Sequence, residues 1–101
     1  MSTFIEKANT NAEAASAFKA LARAESALAV AEADLVRTAD AARVTRLQAR
    51  ANPADICSLA TADAADAYHA HDIRTVYSAR EYVFRARAAV SRAAVACAAL
   101  A

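Results

Sequence analysis

Asn52-Pro53-Ala54-Asp55 interrupts a chain of 101 residues that contains no glycine and no other proline. Proline disfavours a helical conformation at the residue before it, so Asn52 should leave any helix arriving from the N-terminal side. Asn52 is a good N-cap, Pro53 suits the first helical position, and Asp55 puts a negative charge in a first turn. The motif lies almost at the midpoint and reads as a turn at 52–53 between two helical arms. About a third of the residues are Ala, the strongest helix former. The composition therefore predicts an all-α fold, and the absence of Gly disfavours glycine-dependent hairpin turns, phosphate loops and dinucleotide fingerprints.

Working back from Asn52, no breaker occurs as far as Thr10. Leu21, Leu28, Leu35 and Ala42 recur every seven residues, and Ala17, Ala24, Ala31 and Thr38 form a companion row. One large and one small row make a seam that lets two helices approach closely. Thr3 with Glu6 and Thr10 with Glu13 both have capping-box spacing. The side chains of Asn9, Thr10 and Asn11 compete for backbone groups, which favours a short first segment at 2–8 and a main arm at about 10–51.

Working forward, arm two spans about 53–100. Ile73, Val76, Val83, Val90, Ala94 and Cys97 keep a helical stripe. Ile56 and Leu59 do not extend it cleanly, since their face also carries Asp63 and Asp66. The β-branched run at 73–76 follows Asp72, so a break near His71 is the alternative to one long helix.

The charges are ordered in blocks. Net charge is −2 over 1–40, +3 over 41–52, −4 over 53–72 and +4 over 73–101, giving +1 for the chain. Folding at Asn52 brings opposite blocks together. The register read from this pairs Arg50 with Asp55, Arg43 with Asp63, Glu32 with Arg74, Glu25 with Arg80 and Glu13 with Arg92. It also sets Leu47 near Leu59, Leu28 near Tyr77 and Leu21 near Phe84. The expected fold is one domain over 1–101: an antiparallel hairpin of two long helices that assembles into a helical bundle. The 58% hydrophobic fraction is mostly Ala, so the core of a lone hairpin is thin, and thin cores commonly oligomerise or bind a partner.

Four candidate sites each have a plainer reading. His69, His71, Asp63 and Asp66 are metal-ligand types, but His69 and His71 point in different directions on a helix, and arm one offers few acids opposite. Solvated polar residues at a helix irregularity fit better, and no metal or cofactor is expected. Arg43, Arg46 and Arg50 share a face that suits phosphate, as do Arg85 and Arg92. Salt bridges to facing acids fit the block pattern better, leaving weak nucleic-acid binding as an alternative. Cys57 has no nearby His in the sequence, and Cys57 and Cys97 lie at opposite ends of the hairpin; buried, reduced thiols are expected and no enzyme is. Tyr82, Val83 and Phe84 are consecutive and cannot all face one helix. That leaves a second contact face, for which Tyr77, Tyr82, Phe84, Arg85 and Arg92 are the expected partner-binding residues, because aromatics and Arg are the usual interface anchors.

Tyr68 to Asp72 and Tyr77 to Glu81 also match a Tyr-x-x-x-Asp/Glu spacing. In this and in general shape the chain resembles the secreted helical hairpins that carry that export signal on their second arm. It lacks their Trp-x-Gly turn, and the resemblance extends no further. The expectation is a non-enzymatic helical protein–protein interaction module, a small inhibitor or adaptor of a larger complex of the kind mobile elements encode. Its partner is another protein or itself, as a homodimer. The alternative is a self-assembling structural or secreted hairpin. No 18-residue apolar run and no leader-like start in Met1 to Leu21 occur, so no membrane span and a cytoplasmic location are expected.

Overall fold

The computed structural model describes residues 3–100; residues 1, 2 and 101, including the Ser2 start of the expected first segment, lie outside the described residues. The chain forms two helices packed on each other, α1 (Phe4–Ala51) and α2 (Ile56–Leu100), with no strand among the described residues. This is the all-α antiparallel hairpin that the turn and the heptads predict.

Helix α1 starts at Phe4, not near Thr10. The Thr3 box wins: the Glu6 amide donates to Thr3 Oγ1 (3.1 Å), and the Thr3 amide donates to Glu6 Oε2 (3.3 Å). Two end groups are thereby satisfied reciprocally. Asn9-Thr10-Asn11 does not break the helix, because no Pro or Gly follows and Thr10 turns toward α2. There the Cys97 thiol lies 3.9 Å from the Thr10 carbonyl oxygen and 3.6 Å from Asn11 Oδ1.

The turn is longer than 52–53. Asn52 closes α1, with both its amide and its Nδ2 donating to the Gln48 carbonyl (3.0 and 3.2 Å). The Asp55 amide then donates to the Asn52 carbonyl at 3.0 Å, closing a four-residue turn with Pro53 in its second position. No described residue has positive φ, so the turn needs no glycine. The cap of α2 is Asp55 rather than Asn52. Its Oδ1 accepts from the Cys57 amide (3.0 Å) and its Oδ2 from the Ser58 hydroxyl (2.9 Å).

These bonds, the Ser58 hydroxyl foremost and the Cys57 and Ser58 amides after it, hold the Asp55 carboxyl below its ordinary pKa. A depressed folded pKa means the ionised cap stabilises the fold above the ordinary carboxylate pKa and is lost as pH falls through the lowered one. The expected result is that Asp55→Ala lowers the melting temperature at neutral pH, and that this deficit shrinks as acid protonates the wild-type carboxyl. Asp55→Asn should keep most of the cap. A deficit of the same size at every pH would contradict the assignment.

Helix α2 is continuous through His71. The Thr75 hydroxyl donates back to the His71 carbonyl (3.1 Å), and Val76 is buried, so packing holds the β-branched run helical.

The contacts gather into two units, Met1–Leu28 with Ala79–Ala101 and Ala29–Ser78. In the first, Ala24 and Val83 are buried. In the second, Ala31, Ala42 and Ala49 of α1 are buried, with Ala62 and Val76 of α2. Burial keeps a seven-residue period along each helix. In α1 it follows Leu21, Leu28, Leu35, Ala42 and Ala49, with Ala17, Ala24, Ala31 and Thr38 beside them. In α2 one row runs Ala62, His69, Val76, Val83, Val90 and Cys97, and the other Ala65, Asp72, Ala79, Ala86 and Ala93. The α1 rows are those read from the sequence. In α2 the large row continues to His69 and Ala62, while Ile73 and Ala94 fall outside it as exposed residues.

Candidate functional site

Ion pairs cross between the helices in both units: Arg46 Nη2 lies 2.9 Å from Asp66 Oδ1 in the turn unit, and Arg87 Nη2 lies 3.7 Å from Glu25 Oε1 in the other. The opposed blocks therefore meet, but through different partners: Glu25 engages Arg87, not Arg80. The level of the helices is close to the expected one, since Thr38 Oγ1 stands beside His69 Nδ1 at 3.4 Å; the long Arg side chains reach their acids diagonally along the seam. Leu47, Leu59, Tyr77 and Phe84, expected in the seam, are exposed instead.

Phe4 and Phe18 share the heptad phase of Glu25, and Leu59 and Ile73 share that of Asp66. Phe4 is 85% exposed and Phe18 57%. Sequence reading passed over Phe4 and Phe18, which counting in sevens from Glu25 would have found, and placed Leu59 and Ile73 in the seam, where both are exposed instead.

The five expected contact residues do not form one patch. Tyr77 and Phe84 are seven apart, on the side of α2 that carries Ile73. Tyr82, three before Arg85 and ten before Arg92, lies on the other side with Tyr68. Tyr77, Tyr82 and Phe84 are all well exposed. Arg85 pairs with Glu81 (2.6 Å), and both remain solvated, so the pair adds little to stability.

The other candidates are distributed as follows. Asp66 is taken by Arg46 and His69 faces Thr38; no group of three or more His, Cys, Asp or Glu that could hold a metal occurs among the described residues. Arg43, Arg46 and Arg50 do converge, with Leu47, around a shallow pocket of about 110 Å³. Cys57 is exposed, correcting the expectation that both thiols are buried, and Cys97 is half-buried; both are free. A cavity of about 220 Å³ is lined by Lys7, Thr10, Asn11, Cys97 and Leu100, smaller than ordinary small-molecule sites. A more open apolar hollow of about 440 Å³ lies over Ala64, Ala67, Tyr68 and His71. No helix among the described residues is long and apolar enough to cross a membrane.

Fold and surface define the class: an all-α helical hairpin with an alanine–valine seam and aromatic outer faces. No family model, no curated protein and no solved structure matches the chain.

Proposed function

We propose that this chain is a non-enzymatic helical protein–protein interaction module, acting as a small inhibitor or adaptor that covers a site on a larger protein complex. One observation carries the reading. Among the described residues the buried hydrophobic core is five alanines and two valines, whereas fifteen large apolar side chains are exposed. Scattered surface hydrophobes are ordinary, but an excess of this size over the core is the mark of a surface meant to be covered. Tyr82, Arg85 and Arg92 on one side of α2, and Tyr77 and Phe84 on the other, supply aromatic and guanidinium anchors on a rigid element.

The test is photo-crosslinking in the cell that makes the protein, with a benzophenone amino acid at position 82 or 84. A product of one defined mass from either position is expected. No defined product from both would overturn the reading. In parallel, Tyr82→Ala with Phe84→Ala should abolish the crosslink from a probe at position 77 and leave the helical circular dichroism unchanged. Equal loss of both signals would make these residues core.

A further inference from the structure

We infer that a second copy of this chain covers the hollow over Ala64, Ala67, Tyr68 and His71, with α2 packed antiparallel on α2 about a two-fold axis at Tyr68. The inference rests on the interaction reading above and names one partner for one face. That face lies wholly in the turn unit, Ala29–Ser78. There the heptad rows of Ala62 and Ala65 turn toward α1, while the rows 61, 68, 75 and 57, 64, 71, 78 turn away from it. All seven residues of these outward rows are exposed, and none is an acid, a Lys or an Arg. The charges of this stretch, Asp63, Asp66, Asp72 and Arg74, all lie on other rows. The apolar hollow of about 440 Å³ opens at the middle of the uncharged face. An exposed, uncharged face with an apolar hollow at its centre is a surface that a partner covers.

The order of residues along the face identifies the partner. A two-fold interface requires a patch that matches itself, residue i meeting j while j meets i. About Tyr68 this patch does so in the antiparallel sense. Tyr68 meets Tyr68 of the partner subunit, Thr61 meets Thr75 of the partner subunit, and the small Ala64 leaves room for His71 of the partner subunit. The rim agrees independently. Asp63 and Arg74 stand on adjacent rows along the edge of the face farther from α1, five residues before Tyr68 and six after it. The axis therefore sets Asp63 beside Arg74 of the partner subunit, and the symmetry repeats the pair. Both side chains are exposed, and neither has an ion pair or hydrogen bond among the described residues. In a parallel pairing acid would meet acid and base would meet base. Asp66 differs from Asp63, being already held by Arg46.

The experiment uses the purified full chain. Light scattering should give twice the 10.5 kDa chain mass. Asp63→Arg and Arg74→Asp should each raise the dimer dissociation constant by about tenfold, as two attractive pairs turn repulsive. The double variant Asp63→Arg, Arg74→Asp restores opposite charges and should return the constant to its original value. A mixture of the two single variants should form heterodimers. Tyr68→Asp, on the axis, should halve the mass at unchanged helicity, whereas Tyr77→Asp, off the face, should not. Orientation is read from spin labels on Ile56→Cys in a Cys57→Ser, Cys97→Ser chain. Ile56 is 79% exposed and stands twelve residues from Tyr68. The two labels should therefore lie about 36 Å apart at 1.5 Å of rise per residue. The charge variants and the labels decide the matter if Tyr68→Asp fails to fold. A chain of single mass at every concentration would overturn the second copy. It would leave the interaction reading standing if position 82 or 84 crosslinks to a different protein. A dimer that survives Tyr68→Asp with helicity intact would overturn the face. A double variant no tighter than the singles would overturn the Asp63–Arg74 pairing, and a short label distance would overturn the antiparallel order.

Discussion

Replacing Ala42 by Leu is expected to destabilise the hairpin by about 1–3 kcal/mol although it adds apolar surface. Ala42 is 1% exposed, and Ala24, at 2%, should respond in the same way. At these positions no side chain larger than a methyl group separates the backbone of α1 from α2. Three more heavy atoms would have to push the helices apart or adopt an unfavourable rotamer. At roughly 4–8 °C per kcal/mol for a domain of this size, the melting temperature should fall by about 5–20 °C, measured at fixed protein concentration. The same change at Ala33, exposed on the outer side of α1, should be nearly neutral. A neutral Ala42→Leu would mean that the seam is looser than the structure shows.

The second large effect has the opposite sign. His69→Val should stabilise the fold by about 1 kcal/mol, since it extends the Val76, Val83, Val90 row by one heptad and buries a branched hydrocarbon where an imidazole now stands. Val and His have similar helix propensities, so the backbone term nearly cancels. Thr38 loses its 3.4 Å contact with His69 but keeps its hydroxyl donation to the Leu35 carbonyl (3.2 Å), so nothing is left unsatisfied. The expected readout is a melting temperature raised by about 4–8 °C. A fall would mean that the Thr38–His69 contact contributes more than a valine would, as a polar pair that fixes register can.

The legibility of this fold in its sequence varied by feature. The two helices, the turn and the α1 seam follow from Pro53, the missing glycines and the Leu/Ala heptads, which are local signals. The charge partners did not follow, because they depend on how far each Arg side chain reaches along the seam and not on helix level alone. The turn length did not follow either, since Asp55 outcompeted Asn52 as the cap once Ser58 and the Cys57 amide could both bond its carboxylate. The α1 start was misplaced because two capping boxes have equal spacing, and the sequence does not show that Thr10 is held against α2. That the aromatic residues are too many for one seam is legible, since Tyr82, Val83 and Phe84 are consecutive and only Val83 is buried. Their division between two sides of α2 follows from helical spacing once α2 is one continuous helix.

The account turns on the claim that alanines and valines, not the aromatic residues, make the seam. Hydroxyl-radical footprinting tests it most directly, on the chain at the lowest concentration that preserves its helical circular dichroism. Phe4, Phe18, Tyr77 and Phe84 should be modified at rates close to those of the free amino acids, while Val76 and Val83 stay protected. Protection of Phe18 and Phe84 equal to that of Val83 would contradict the claim and place the aromatic residues in the core.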